Sequence, residues 1–357
     1  MTDRSRDIQF MKTALGLARR GLGATGSNPT VGCVIVKEGR VVGRGVTQPG
    51  GRPHGEVMAL AQAGPAAKGA TVYVTLEPCS HYGRTPPCAK ALISAGVARV
   101  VSAVEDTDAR VAGRGHAMLR AAGIVVDVGH MAEQAREMNA GFFLRLSKNR
   151  PFVTLKLAMS LDGKIATSTG ESQWITGPEA RRRVHLLRAQ HDAVMVGGGT
   201  LRADDPSLDV RGLGDMHQPA AIVVTGQGVP EGANLLRMAT PDRPLWICGS
   251  AGENRDGVTY LSCAKADAGV DVADMLTQLG QEGLTRVFCE GGGALAASLL
   301  KANMVDELVV FSAGIMLGQD GRSGLGPMGF DALSEAARFR CVTQEKVGAD
   351  VMQVWRR

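Results

Sequence analysis

The sequence feature that most constrains this chain is a set of three potential metal ligands, His54, Cys79 and Cys88. One imidazole and two thiolates can bind zinc tetrahedrally and leave the fourth position open for water. Glu56 follows His54 by two residues, so its carboxylate can move protons at the metal without binding it. Because zinc can lower the pKa of its bound water to about 7, the set predicts a hydrolytic zinc site. The fold must therefore bring three separate segments together.

The residues around the ligands predict the elements that carry them. Residues 56–61 indicate the start of a helix, so His54 is expected at a helix N-terminus. Residues 71–76 are rich in β-branched side chains and predict a strand that leads to Cys79. Cys88 opens a second predicted helix, 88–95, and a thiol at a helix N-terminus is favoured as the thiolate.

The order of these residues is itself informative. An H-x-E triplet followed by a Pro-Cys pair and a second Cys is the signature of zinc nucleobase deaminases. Here the second thiol, Cys88, lies nine residues after Cys79, which is a wider spacing than in that signature. A structural zinc site is the alternative, with His81 as its fourth ligand. Glu56 favours catalysis, because a structural site does not need a carboxylate beside the metal.

Length and cysteine usage set the general class. At 357 residues the chain is expected to form two domains. It has no apolar run of 18 residues and no secretory signal at its charged N-terminus, so no membrane span is predicted. The five further cysteines form no disulfide framework and are interpreted as reduced, mostly buried thiols. We therefore expect a cytoplasmic protein. These five are Cys33, Cys248, Cys263, Cys289 and Cys341.

The charge is unevenly distributed. Residues 1–150 contain 20 Lys and Arg against 11 Asp and Glu, whereas the remainder contains 20 against 24. A basic first half suits an anionic substrate, although ordinary surface charge is an equal alternative. Aromatic residues make up only 4% of the chain, which disfavours a single-strand nucleic-acid channel. No nucleic-acid partner is expected.

The first half alternates predicted strands and helices, which indicates an α/β fold. Residues 7–19 predict an amphipathic helix, and residues 31–36 and 40–45 predict a hairpin. Asn28 precedes a proline, and its amide could either hold a turn or bind the edge of a pyrimidine. Later elements are expected at 97–104 (strand), 118–122 (helix), 124–128 (strand) and 131–146 (closing helix).

Three stretches of the first half resemble one known family. Residues 28–32, 54–56 and 76–88, with Thr-Pro-Pro before Cys88, are similar to the deaminase half of the bifunctional riboflavin-biosynthesis enzymes. Residues 111–115 also match. The family usually has Asp-Pro-Asn-Pro where this chain has residues 106–109, so the family's contacts are not carried over there. The resemblance implies a cytidine-deaminase-like domain at residues 1–147, with Asn28 in substrate binding.

The second half begins after a polar linker at 147–151. Residues 176–179 form a capping-box pattern with Thr176 as the N-cap. Strands are expected at 152–159, 193–196, 220–225, 245–248, 286–289, 307–311 and 351–355, and a helix at 273–282. Glycine triplets at 197–199 and 291–293 each follow a strand. Such glycines can let a pyrophosphate approach a helix N-terminus, or they can be plain turns.

The resemblance extends through this half, at residues 156–164, 170–176, 197–200, 203–208 and 290–293. They are similar to the family's reductase half and imply a dihydrofolate-reductase-like domain at 151–357. NADPH contacts would then fall on Ala158, Trp174, Thr200, Asp204, Thr225, Gly292, Gly293, Ala294, Leu295, Ala296, Ala297 and Ser298. Substrate contacts would fall on Lys156, Ser172, Arg188, Leu208, Arg211 and Glu290.

The resemblance thus implies a Zn²⁺- and NADPH-dependent bifunctional enzyme. It would deaminate 2,5-diamino-6-(5-phosphoribosylamino)pyrimidin-4-one and then reduce the ribosyl chain of 5-amino-6-(5-phosphoribosylamino)uracil. Arg188 and Arg211 would bind the substrate phosphate, and Lys156 and Asp204 are candidate acids or bases. We expect a homo-oligomer of unspecified size. The alternatives are a nucleoside or nucleic-acid deaminase with an accessory C-terminal domain, and a zinc-stabilised scaffold or RNA-binding protein that has lost catalysis.

Overall fold

The computed structural model describes residues 3–82, 86–108, 111–266 and 269–357. The chain divides into two units, Met1–Lys148 and Asn149–Arg357. None of the helices in the described ranges has the length and apolar character that a membrane crossing needs. Gly83, Arg84, Thr85 and Ala109, which belong to the stretches compared with the family above, lie outside the described residues.

The first unit is built on a five-stranded sheet. Its strands are β1 Gly32–Lys37, β2 Arg40–Val46, β3 Thr71–Val74, β4 Arg99–Ser102 and β5 Val125–Val128. Their order is β2-β1-β3-β4-β5, with β1 antiparallel to both neighbours and β3, β4 and β5 parallel. The predicted hairpin is confirmed. The helices are α1 Asp3–Ala18, α2 Gly55–Ala63, α3 Cys88–Ser94, α4 Arg114–Ala121, α5 Ala132–Met138 and α6 Ala140–Lys148.

Glycines in β2 fix the position of α2. A Cβ at Gly43 would lie 2.2 Å from the carbonyl oxygen of Ala59, and one at Gly45 would lie 2.0 Å from that of Gly55. The helix backbone therefore rests directly on the strand. This contact fixes the N-terminus of α2, where the predicted zinc ligand and the predicted proton carrier are found.

The predicted closing helix 131–146 is two helices, which corrects the sequence interpretation. The break falls at Asn139, whose backbone leaves the helical region at φ −103° and ψ 20°. The buried amide of Asn139 accepts a hydrogen bond from the N–H of Thr30 at 2.9 Å and donates one to its carbonyl at 3.1 Å. This long-range pairing ends one helix and begins the next. The helix expected at 118–122 also starts earlier, at Arg114.

The second unit is built on a nine-stranded sheet in the order β11-β10-β9-β8-β14-β6-β15-β18-β17. The strands from β11 to β15 are parallel, whereas β18 and β17 are antiparallel to their neighbours. The α/β prediction is confirmed. The sheet strands are β6 Phe152–Ser160, β8 Ala193–Gly197, β9 Ala220–Val224, β10 Leu245–Cys248, β11 Val258–Leu261, β14 Arg286–Gly291, β15 Glu307–Ala313, β17 Arg340–Val347 and β18 Asp350–Arg356.

Helices and short strands complete this unit. Two hydrophobic clusters cover opposite faces of the sheet, as β14 illustrates: Val287 and Cys289 belong to one cluster and Phe288 to the other. The remaining strands are β7 Lys164–Ala166, β12 Lys265–Ala266, β13 Gly269–Val270 and β16 Arg322–Ser323. The helices are α7 Pro178–Ala189, α8 Gly198–Asp204, α9 Asn234–Met238, α10 Val272–Gln281 and α11 Gly293–Lys301.

The capping box predicted at the start of α7 is wrong. The N-cap is Gly177, which has no side chain to cap the helix. Its backbone N–H donates to Asp350 Oδ2 at 2.7 Å. Thr176 instead accepts a hydrogen bond from Arg181 through its carbonyl, at 2.7 Å. A carboxylate from a distant strand thus replaces the local cap. The interpretation of the cysteines as mostly buried holds for Cys33, Cys248 and Cys289, but Cys263 is half-buried and Cys341 is exposed.

Candidate zinc centre and cofactor cavity

Two helix N-termini and one loop carry the predicted zinc ligands. His54 is the N-cap of α2 and has an extended backbone, with φ −71° and ψ 159°. Cys88 is the first residue of α3, after Pro87 as N-cap. Cys79 lies in the loop after β3, and its Sγ accepts a hydrogen bond from the N–H of Cys88 at 3.3 Å. The predicted elements at all three ligands are therefore confirmed.

The three ligand atoms converge. His54 Nδ1 lies 3.2 Å from Cys88 Sγ and 3.6 Å from Cys79 Sγ, and all three atoms lie within 4.8 Å of one another. A tetrahedral zinc with bonds of about 2.0 to 2.3 Å would separate its ligand atoms by similar distances. The hydrogen bond from the Cys88 thiol lowers the pKa of Cys79 and raises that of Cys88, so the two sulfurs share one proton that must leave when zinc binds. The residues present fit the metal.

The Glu56 carboxylate fits a role beside such a metal. The residue is only 3% exposed, and its Oε2 atom has no hydrogen-bond partner among the described residues. Burial raises the pKa of Glu56 to about 7. A buried carboxylate with an unused oxygen requires a polar partner, and water held at the adjacent position would provide one. His81 is not part of the converging ligand set found in the described residues.

A cavity of about 260 Å³ opens onto these groups. Asn28, which the sequence analysis assigns to substrate binding, lies on its wall, and its amide packs against Gly51, where a Cβ would come within 2.1 Å of Nδ2. The sequence analysis missed four charged residues on the same wall, because they come from loops and a helix far apart in the chain. These are Arg52, Asp106, Asp108 and Arg145.

A larger cavity, of about 960 Å³, lies in the second unit. It is found where the parallel strands β6, β8, β9 and β14 end, which is where ligands bind in open α/β sheets. Its wall includes nearly all residues to which the resemblance assigns NADPH or substrate. These are Lys156, Ala158, Ser172, Trp174, Arg188, Thr200, Asp204, Leu208, Arg211, Thr225, Glu290, Gly292, Gly293, Ala294, Leu295 and Ser298.

Ala296 and Ala297 do not belong to this wall. Both are buried in α11, at 1% and 5% exposure, and Ala296 packs into the hydrophobic core. Their side chains therefore point into the protein interior and not into the cavity. Residues that the sequence analysis did not single out also line the cavity, including His185, Arg181 and Arg322.

Arg188 and Glu290 form a partly buried ion pair on the cavity wall. The Arg188 guanidinium donates to both carboxylate oxygens of Glu290, with an Nη2–Oε2 distance of 3.0 Å. Its Nη1 donates to the carbonyl of Asp209 at 2.8 Å. Burial alone would raise the pKa of Glu290, but Arg188 outweighs it and holds the pKa below its usual value. Burial lowers the pKa of the neighbouring Lys156.

The two glycine triplets meet at one place. Gly292 has φ +90°, and a Cβ there would lie 2.9 Å from Thr200 Oγ1. Thr200 Oγ1 donates to the carbonyl of Gly291 at 3.4 Å. Gly293 then begins α11. The start of α8 and the start of the nine-residue helix α11 therefore form one continuous part of the cavity wall. A helix N-terminus of this kind can bind an anion.

Two family models match separate parts of the chain. Residues 4–104 match the cytidine and deoxycytidylate deaminase zinc-binding region, and residues 151–353 match the RibD C-terminal domain. The chain is 43% identical to riboflavin biosynthesis protein RibD of Escherichia coli over 361 aligned positions, covering 97% of this chain and 98% of that protein. It is 42% identical to RibD of Aquifex aeolicus, covering 99% of each.

Solved structures agree over the whole length. RibD of Acinetobacter baumannii superposes with a TM-score of 0.89 at 37% identity, covering 99% of both chains. A diaminohydroxyphosphoribosylaminopyrimidine deaminase/5-amino-6-(5-phosphoribosylamino)uracil reductase from Thermotoga maritima gives a TM-score of 0.88 at 31% identity, again covering 99% of both. The fold class predicted from the sequence is confirmed.

Proposed function

This chain belongs to the RibD family of riboflavin-biosynthesis enzymes, and from this premise we propose which of its residues perform the two reactions. The protein is a bifunctional enzyme, a zinc-dependent pyrimidine deaminase and an NADPH-dependent reductase. The deaminase domain is assigned to residues 1–147 and the reductase domain to 151–357. The observation that carries the assignment is the convergence of His54, Cys79 and Cys88 beside the unpaired oxygen of Glu56.

In the deaminase site, His54, Cys79 and Cys88 would hold zinc, which supplies a water of lowered pKa. Glu56 accepts a proton from the attacking water and delivers it to the departing amino group. A pKa of about 7 suits both steps near neutral pH. Asn28 offers a donor and an acceptor to the pyrimidine edge.

Charged residues on the wall of the zinc cavity suit a phosphorylated substrate. Arg52 and Arg145 line the cavity and supply positive charge for a phosphate group. Asp106 and Asp108 line it as well and can accept hydrogen bonds from amino or hydroxyl groups. We assign all four residues to substrate recognition.

In the reductase site, NADPH supplies the hydride. The backbone N–H groups at Gly292 and Gly293 are assigned to its pyrophosphate. Both oxygens of Glu290 accept hydrogen bonds from Arg188. Arg211 also pairs with a carboxylate, Asp209 Oδ1, at 3.3 Å, but its side chain is 69% exposed, and we assign the substrate phosphate to it. We assign the proton donor to Lys156, because it is a cation on the cavity wall beside Glu290, and burial lowers its pKa.

We also propose a cytoplasmic, homo-oligomeric protein. All seven cysteines are free thiols, and a reducing compartment would keep Cys79 and Cys88 able to bind zinc. Light scattering of the purified, zinc-loaded chain would test the oligomer, and a monomeric mass would exclude it.

A coupled assay tests the proposed function. Purified protein should contain about one zinc per chain and release ammonia from the diaminopyrimidine ribotide. A chelator should stop ammonia release but not NADPH oxidation on the deaminated ribotide. Free cytidine and tRNA serve as competing substrates. Ammonia release from either of these, without release from the ribotide, would favour a nucleoside or nucleic-acid deaminase instead.

A further inference from the structure

Glu77 has a buried carboxylate that the deaminase chemistry described above does not use. It lies two residues before the zinc ligand Cys79, and its side chain is fully buried, at 0% exposure. Its own N–H donates to the carbonyl of Val104 at 2.9 Å, which joins the end of β3 to the end of β4. A carboxylate in this position needs hydrogen-bond donors around it.

Four backbone N–H groups supply those donors. Oε2 accepts from Asp106 at 3.2 Å and from Gly113 at 2.9 Å. Oε1 accepts from Gly115 at 2.8 Å and from His116 at 3.2 Å. Gly113 is the N-cap of α4, so Glu77 caps this helix from another part of the chain.

The arrangement excludes a second metal site. Glu77, Glu105 and His116 place one ligand atom each within 4.8 Å of one another. Each oxygen of Glu77 already accepts two backbone N–H groups, however, so the carboxylate has no lone pair left for a cation. The carboxylate therefore orders the backbone and does not bind a cation.

The backbone held by Glu77 forms part of the zinc cavity. The two Oε2 contacts fall on Asp106 and Gly113, and three of the described residues in the ranges 106–108 and 111–113 line the cavity: Asp106, Asp108 and Val111. Gly115 in α4 packs directly against the backbone of Pro78, because a Cβ at Gly115 would lie 2.0 Å from the Pro78 carbonyl oxygen. The start of α4 therefore cannot shift towards Pro78. The Glu77 carboxylate thus fixes both ends of this part of the cavity wall. Glu77 itself lies two residues before the zinc ligand Cys79.

We propose that Glu77 is a positioning residue of the deaminase, which holds residues 106–108 and 111–113 in the conformation that binds the pyrimidine ribotide. It acts on substrate affinity through the backbone and takes no part in proton transfer. The proposal rests on the assignment of the zinc cavity to deamination. Its clearest consequence is a separation of KM from kcat, since the zinc and Glu56 remain in place.

The test is Glu77→Gln in the full-length chain. One carboxylate oxygen becomes an NH₂ group that faces N–H donors, so two acceptor contacts are lost. The deaminase KM for the ribotide should rise at least about tenfold, the lower end expected for a lost hydrogen bond to a charged group. Zinc content, and NADPH oxidation on the deaminated ribotide, should remain at the parent values.

Two further variants keep the result decisive. Glu105→Gln removes a neighbouring, exposed carboxylate just before this segment and should leave the KM within about twofold of the parent. Gly115→Ala pushes α4 away from Pro78 while Glu77 is intact, and it should raise the same KM. An unchanged KM in both Glu77→Gln and Gly115→Ala would overturn the proposal, as would loss of zinc in Glu77→Gln. Absence of ribotide deamination in the parent would instead refute the proposed function.

Discussion

The Nδ1 atom of His54 lies 3.2 Å from the Sγ atom of Cys88, although 34 positions separate the two residues in sequence. Removing one of these atoms should open the zinc site. Cys88→Ala should lose zinc and deaminase activity, because two protein ligands hold the metal much more weakly than three. Metal analysis of the purified chain checks this, with the exposed Cys341→Ala as the control that retains zinc. Full zinc content in Cys88→Ala would make His81 the next candidate ligand.

Glu56→Gln should separate metal binding from catalysis. The amide has nearly the same shape as the carboxylate but cannot accept a proton, so zinc should remain. The deamination rate should fall at least about 100-fold, the lower scale of acid–base contributions. NADPH oxidation on the deaminated ribotide is the internal control and should not change. Turnover near that of the parent would show that Glu56 does not transfer protons and is only a residue of the first turn of α2.

Gly292→Val should weaken NADPH binding. The new side chain would start 2.9 Å from Thr200 Oγ1, at a φ of +90° that branched residues avoid. We expect the apparent Km for NADPH to rise by about tenfold or more, since backbone N–H groups at the helix N-terminus would no longer reach the pyrophosphate. Gly232→Val is the matched control, because nothing lies within 4 Å of a Cβ there. An unchanged Km would place the cofactor elsewhere, with the N-terminus of α8 at residues 198–200 as the next candidate.

Asp7→Asn should destabilise the first unit. Asp7 accepts hydrogen bonds from Arg99 at 2.9 and 2.8 Å and from Tyr73 at 2.8 Å. Burial alone would raise the pKa of Asp7, but these bonds outweigh it and lower the pKa. The stabilisation is therefore present above the ordinary aspartate pKa and is lost as the pH falls through the lower, folded-state value. We expect Asp7→Asn to lower the free energy of unfolding by about 1–2 kcal/mol at neutral pH, and we expect this difference from the parent to become smaller in acid.

The control for Asp7 uses the second carboxylate on the same arginine. Asp127 also pairs with Arg99, but its side chain is 41% exposed, so Asp127→Asn should cost less than about 0.5 kcal/mol. Urea unfolding followed by deaminase activity reports on the first unit. All three tryptophans, Trp174, Trp246 and Trp355, lie in the second unit, so their fluorescence transition should not move. Equal losses in the free energy of unfolding for Asp7→Asn and Asp127→Asn would show that the burial of Asp7 does not strengthen its pairing with Arg99.

The zinc site could be predicted from the sequence because its chemistry is local to short motifs. His54, Cys79 and Cys88 each lie at the start of a helix or just after a strand, and those elements follow from patterns of a few residues. The role of Asn139, which divides the closing helix, could not be predicted. It depends on a hydrogen-bonded contact with Thr30, 109 residues away, and nothing near Asn139 in the sequence signals it.

Contacts between residues far apart in the sequence also explain where the structure differs from the other expectations. Thr176 has the local pattern of an N-cap, but Asp350 supplies the hydrogen bond from a strand near the end of the chain. Ala296 and Ala297 belong to a matched loop, yet helical periodicity turns their side chains into the protein. Family resemblance locates a segment, whereas the direction of each side chain is decided by packing across the sheet.

The order of strands in the second unit has a consequence for synthesis on the ribosome. β14 lies between β8 and β6, yet it is translated long after both. Until Arg286–Gly291 emerges, β6 and β8 have no strand to join them, and the floor of the large cavity does not exist. The first unit has all five of its strands once Lys148 is translated. A nascent chain can therefore acquire a complete zinc site while the cofactor-binding half is still unfolded, so the two activities of one polypeptide arise at different times.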